Sequence, residues 1–237
     1  MLRSFVFLSA QILVLSAVLA ADNSPPAGFT ALFNGNDLSG WQGGMAFNKL
    51  ASGKADEITK AQADANKLMH EHWKVERGVL VNDGKGTNLA TVKQFGNFEL
   101  MVDWKINPKG DSGIYLRGQP QVQIWDSKSL SDSRYPREKN KGSGALWNNK
   151  NPDHKLPLAF GDNEPGQWNT FHITMIGDKV TVRLNGKLVV DQVPIDNYFE
   201  KGKPAPERGP VELQYHPNQD GVPDNLYFKN VYLKELP

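Results

Sequence analysis

From Trp73 to the C-terminus, apolar side chains recur at every second position, the spacing of strands with one buried face. FELMVDWKI sets Phe98, Leu100, Val102, Trp104 and Ile106 on one side, with Glu99, Met101, Asp103 and Lys105 on the other. WKVERGVLVN predicts a hairpin around Arg77-Gly78, and SGIYLRG and QVQIWD predict two further strands. FHITMIGDKVTVRLNGKLVV reads as three strands turning at Gly-Asp and Asn-Gly. VELQYH and NLYFKNVYLKEL bring the count to about ten closely spaced strands. One segment breaks the period. Ile58, Ala61, Ala65 and Leu68 recur at helical spacing, which predicts an amphipathic helix over residues 54–69, packed on a sandwich edge. The pattern is all-β: a sandwich or jelly roll of two antiparallel sheets with one inserted helix. Residues 127–167 and 194–210 carry little strand pattern, and long irregular stretches in compact domains tend to be functional or disordered. Within the first, GSGALW looks like the wall of a site.

The N-terminus has a different pattern. Arg3 precedes an apolar run, Phe5–Leu19, and Val18-Leu19-Ala20 places small or modest residues before a cleavage point after Ala20. Residues 1–20 are expected to be a signal peptide, 21–27 a short Pro-rich leader, and 28–237 a single domain. The protein is then exported, periplasmic or extracellular, with no membrane span after cleavage.

Composition narrows the chemistry. The 237 residues contain no cysteine, which excludes disulfides, thiolate metal sites and cysteine nucleophiles. Lys and Arg number 27 against 26 Asp and Glu, and loss of Arg3 with the leader balances them. No global field steers the chain toward nucleic acid.

Strand parity is more informative. Gly113, Tyr115 and Arg117 oppose Ile114 and Leu116. Gln121, Gln123 and Trp125 oppose Val122 and Ile124, and Glu212, Gln214 and His216 oppose Val211, Leu213 and Tyr215. A solvent-facing strand ordinarily carries Lys, Glu, Thr and Ser. Arg, Gln, His, Tyr and Trp instead suit a polyhydroxy ligand, because amides pair with hydroxyls and aromatic faces cover the C–H side of a sugar ring. Any one such residue is more often structural or solvated; three strands sharing the bias are harder to dismiss.

Concanavalin-like glucanases place carboxylates at alternate positions of one strand, where this chain offers Gln121, Gln123 and Trp125. Double-carboxylate hydrolysis is disfavoured. No Gly-x-Ser-x-Gly elbow, P-loop or dinucleotide fingerprint occurs. Of five histidines, His216 is favoured as base or acid, since it shares the Gln214 face at a strand end. His70-Glu71-His72 has the residue types of a metal site, but a polar cluster at a helix end is usually solvated. His172 is expected on an outer strand face.

FNGNDLSGW, DSGIYLRG, PQVQIWD, GSGALW, WNTF, NGKLVVD, GPVELQYH and FKNVYLKEL occur in this order. Their ordered combination resembles the 3-keto-disaccharide hydrolase family, also described as 3-keto-glucoside 1,2-lyase/3-keto-2-hydroxyglucal hydratase, over about residues 28–236. The resemblance implies a concanavalin A-like jelly roll, export, and a small-molecule keto-sugar or glycoside as substrate. It also implies removal of the C2 proton beside a C3 ketone, elimination at C1, and hydration. That chemistry needs a base, an enolate stabiliser and an acid. On this reading His216 moves the C2 proton, Arg117 stabilises the enolate, and Asp111 or Asp126 orients the base or binds a cation. The resemblance fixes no cofactor, and a divalent cation is compatible. Gln123 and Gln214 hold hydroxyls, Tyr115, Trp125 and Trp147 line the site, and Glu71 is a further binding candidate or alternative base. The chain has Asp111 where many relatives have Asn, and Gln121 where many have Glu. The competing reading is a non-catalytic, lectin-like carbohydrate-binding module.

Overall fold

The computed structural model describes residues 22–45, 54–126, 142–216 and 225–237. The expected signal peptide lies outside the described residues. Two antiparallel sheets face each other across one apolar core, with a single α-helix among the described residues.

The larger sheet runs in the order β11 (Lys187–Pro194), β10 (Lys179–Leu184), β9 (Asn169–Ile176), β6 (Phe98–Ile106), β13 (Leu226–Glu235), β4 (Val79–Asn82) and β3 (Trp73–Glu76). The short β1 (Thr30–Ala31) also pairs with β13. In β6 the predicted alternation holds throughout. Phe98, Leu100, Val102, Trp104 and Ile106 are buried, and each is worth about 1.5–3 kcal/mol once removed from water. His172 points outward, as expected, where Nε2 lies 3.1 Å from Glu99 Oε2.

The smaller sheet carries the candidate site. Its order is β2 (Trp41–Gly43), β5 (Leu89–Thr91), β12 (Val211–Leu213), β7 (Asp111–Leu116) and β8 (Gln119–Trp125). Leu89, Ile114, Leu116, Val122, Ile124, Val211 and Leu213 face the core, leaving the alternate positions on the outer face. VELQYH forms a shorter strand than its pattern predicts, although Gln214 N–H still donates to Gly113 O at 2.8 Å.

Helix α1 (Ala55–His72) lies against β2. Asp56 and Glu57 in its first turn and His70 and His72 in its last match the polarity of the helix dipole. The buried face is turned relative to the predicted one: Ala65 and Met69 are covered, whereas Leu68 is exposed. Hydrogen bonds set that rotation. Gln62 Nε2 donates to Gly43 O at 2.9 Å, and Gly43 N–H donates to Asn66 Oδ1 at 2.9 Å. Position 43 has to be glycine, since a Cβ there would lie 2.2 Å from Ala65 O.

Candidate functional site

Register places the outer-face residues of β12, β7 and β8 in rows. Glu212 lies opposite Tyr115, and Tyr115 opposite Gln121. One pair along, Gly113 faces Gln123, and the Gln214 backbone bonds to Gly113. A further pair along, Asp111 faces Trp125, and His216, beyond the end of β12, is near enough for its charge to act on Asp111. The row is extended by residues 142–148, which run antiparallel along β8. Gln123 N–H donates to Ala145 O at 2.9 Å, Gly144 N–H to Gln123 O at 2.8 Å, and Trp147 N–H to Gln121 O at 3.2 Å. Asp162 anchors the start of this segment by accepting Ser143 N–H.

A directed hydrogen-bond chain crosses the face. Gln121 Nε2 donates to Gln123 Oε1, and Gln123 Nε2 donates to Asp111 Oδ1 at 2.7 Å. The Gln123 amide also lies 3.2 Å from the carbonyls of Ser112 and Ile124. Both glutamines are only 4% exposed. The Gln123 amide is thus occupied by Asp111, Gln121 and two carbonyls, which leaves it little capacity for the sugar hydroxyls it was expected to bind.

Burial pushes the Asp111 pKa above the usual carboxylate range. The His216 charge, the Gln123 amide and the Ser112 backbone N–H pull it down, without cancelling the effect of burial. Burial likewise raises Glu212, against the Asn88 amide, whose Nδ2 donates to Glu212 Oε2 at 3.0 Å. Tyr115 stands among these groups. Burial, Glu212, Tyr198 and Asp111 together push its phenol up to about 12, so it is a neutral O–H at any physiological pH. Gln214 Nε2 is 3.4 Å from the Tyr115 hydroxyl, and Gln214 Oε1 is buried with no partner among the described residues. An acceptor left in that condition costs about 1–3 kcal/mol.

The face therefore brings together Asp111, Tyr115, Gln123, Gln214 and His216 from the predicted set. It adds Gln121 and Glu212, which parity had already put on this side, and Asn88, which had no signal of its own. Trp125 is 7% exposed and donates Nε1–H to Gly142 O at 2.8 Å, so its ring is largely covered instead of forming an open wall. Trp147, half-buried, packs 6.2 Å from it between centroids.

Three predicted residues lie elsewhere. Arg117 and Gly118 form the two-residue turn between β7 and β8, with φ of 54° and 68°. Leaving the extended conformation takes the Arg117 side chain out of the strand alternation. Its Nε donates to Gly96 O at 2.8 Å and its Nη1 to Gly177 O at 2.8 Å, while Nη2 reaches Asn97 Oδ1 at 3.2 Å. This guanidinium ties loops together at the end of the sandwich, and it does not reach the Asp111 face. Asp126 falls on the opposite side from Trp125 by the same alternation, and its Oδ2 accepts Lys109 N–H at 2.9 Å. Glu71 is exposed on α1, 3.9 Å from Lys67 one turn back. Neighbouring His72 pairs with Asp83 at 3.1 Å. Among the described residues, no three His, Asp or Glu side chains converge in a way that could hold a metal ion.

Comparison with known proteins identifies the fold and the family. A Bacteroides thetaiotaomicron protein named 3-keto-disaccharide hydrolase is 23% identical over 254 aligned residues, covering 88% of this chain and 79% of that protein. Two crystal structures from Parabacteroides distasonis, each described as a proposed glycosyl hydrolase, share the fold. One has a TM-score of 0.64 and 23% identity over 92% of this chain and 100% of the other. The second has a TM-score of 0.61 and 24% identity over 89% and 85%. The 3-keto-alpha-glucoside-1,2-lyase-like domain matches residues 28–234, essentially the whole sandwich, and the chain belongs to that family.

Proposed function

We propose that this carbohydrate-active, hydrolase-like protein is an exported enzyme that cleaves 3-keto-glycosides by elimination and hydration. The observation that carries the reading is Asp111, held by the Gln123 amide on one side and within the field of His216 on the other. A C3 ketone acidifies the C2–H bond. His216, oriented by Asp111, takes that proton, and the C–H electrons pass into an enolate on O3. The Tyr115 O–H, kept neutral by its surroundings, donates to that oxygen in place of Arg117. Collapse of the enolate forms the C1–C2 double bond and breaks the C1–O bond. Glu212, whose raised pKa favours its protonated form, supplies the proton to the leaving oxygen. Water then adds at C1, and a proton returns to C2, giving the free 3-keto sugar. Gln214, whose Nε2 lies beside the Tyr115 hydroxyl, is the amide that holds a ring hydroxyl.

Direct double-carboxylate hydrolysis fits less well: at the alternate positions of β8, where such glucanases carry their carboxylates, this chain has Gln121, Gln123 and Trp125. A lectin-like module would need amides and aromatics but no pair of carboxylates with raised pKa beside a histidine.

Turnover of a 3-keto-disaccharide in heavy water tests the mechanism. Elimination places deuterium at C2 of the released 3-keto sugar, read by mass spectrometry and NMR. His216→Ala is expected to lose turnover and label together, by about 10²–10⁴-fold. Cleavage without C2 label would overturn elimination and favour direct attack at C1.

A further inference from the structure

The segment after β11 displays two large aromatic side chains to solvent. Tyr198 is 49% and Phe199 41% exposed, and their rings pack edge to face with centroids 5.2 Å apart. Exposed aromatics on loose coil are common, but this loop is built. Asn197 is buried, donating Nδ2–H to Pro204 O at 2.9 Å and accepting Glu200 N–H at 2.7 Å. Just before it, Asp196 Oδ2 accepts Lys150 N–H at 2.8 Å, and Asp196 N–H donates to Asn149 Oδ1 at 3.1 Å. Asn149 Nδ2 in turn donates to Pro194 O at 2.9 Å. The loop is thereby locked to the segment that runs along β8, two residues from Trp147, which is itself bonded to Gln121. Ile195, Asp196 and Asn197 line a cleft with Arg117, two residues beyond Tyr115. Tyr198 is close enough to Tyr115 to act on its ionisation.

These links set an order along the face. Asp111 and His216 stand at one end, Glu212, Tyr115 and Gln121 at the other, and the loop carrying Tyr198 and Phe199 borders that second end through its ties to Asn149 and its closeness to Tyr115. We infer that Tyr198 and Phe199 form the subsite for the leaving group, selecting 3-keto-glycosides whose aglycone is a ring with a flat apolar face. The inference rests on the lyase reading above and orients its substrate: the keto-sugar over Asp111 and His216, the scissile oxygen at Glu212, the aglycone against the aromatic pair. Stacking on an exposed aromatic acts in the bound ground state and in the transition state alike, so its loss raises KM and leaves kcat in place.

The test compares methyl and 4-nitrophenyl 3-keto-glucosides with the full-length mature chain. Tyr198→Ala/Phe199→Ala is expected to lose about tenfold in kcat/KM on the nitrophenyl substrate, through KM, so that the wild-type preference for nitrophenyl over methyl collapses. Tyr198→Phe, which keeps the ring, is expected to retain the nitrophenyl preference. Equal losses on both substrates, or none on either, would overturn the subsite while leaving the lyase reading intact. A wild type that cleaves neither glycoside would overturn both, and that failure appears before any variant is made.

Discussion

Replacing Gln123 by leucine tests whether this amide positions Asp111 or binds sugar. Leucine keeps the bulk of a side chain that is 4% exposed, so the sheet should survive, while the 2.7 Å donation to Asp111 disappears. A hydrogen bond to a charged group contributes about 1.5–3 kcal/mol, and the lower end applies because Asp111 keeps some contact with solvent. That is about one pH unit of pKa. The sign follows from the structure. Gln123 favours the ionised form of Asp111, so its loss raises a pKa that burial already raises. The carboxylate that orients His216 then forms only at higher pH. The acidic limb of kcat/KM, followed from about pH 4 to pH 8, is expected to move up by about one unit, with kcat lowered and KM little changed. Leucine also strands the Gln121 amide, so Gln123→Glu serves as a check; it restores an acceptor for Gln121 but sets a second carboxyl beside Asp111, and should move the limb up as well. An unmoved limb with a raised KM would refute the positioning role and return Gln123 to the sugar.

Glu212→Gln removes a carboxyl whose folded pKa is raised. Such a group supports stability below its unfolded pKa and loses that support as pH rises through the folded value. The variant should therefore melt a few degrees above wild type near neutrality, with the gap closing in acid, while its turnover falls; a variant less stable at neutral pH would contradict the burial argument. Arg117→Met removes several donations to loop carbonyls and is expected to cost about 2–4 kcal/mol, or roughly 4–16 °C in Tm, with kcat preserved below the transition. A large kcat loss in folded Arg117→Met would restore its expected role at the enolate. Gly43→Ala drives a methyl into the helix backbone and should loosen α1 from β2, read as faster hydrogen exchange in residues 55–72. Unchanged exchange and Tm would show that the contact yields cheaply.

The buried faces were the legible part of this sequence, because β6, β9 and β10 alternate without interruption and their core positions are apolar except for Asn169 at the start of β9. The outer face of β7, β8 and β12 was legible for the same reason, down to Gln121 and Glu212. What alternation does not report is where it stops. Arg117 continues the parity of Tyr115 on paper, yet the chain has already entered a turn with positive φ, and the guanidinium goes to backbone carbonyls. Nor does alternation report partners across strands. Gln123 has the chemistry of a sugar-binding amide until Asp111 is seen 2.7 Å away. Glu212 stood at an outward position, but its raised pKa comes from burial, on a strand flanked by β5 and β7, which are far away in sequence. On the helix, Leu68 lost its expected place to Met69 because two polar contacts to Gly43, not apolar spacing, fix the rotation.

The strip of residues 142–148 along β8 has a consequence for self-association. An edge strand offers unpaired N–H and C=O groups to any other extended chain, and this is how many β proteins aggregate. Here that margin of the smaller sheet is already zipped shut by the strip, and the β2 margin is met by side chains of α1. The larger sheet uses other devices. β3 is four residues long and exposes Lys74 and Glu76, and β11 pairs through bulges with Lys187, Asp191 and Pro194 facing out. Deleting or unzipping the strip would open the β8 margin, so variants that weaken Ser143 or Asp162 are expected to lose solubility before they lose secondary structure.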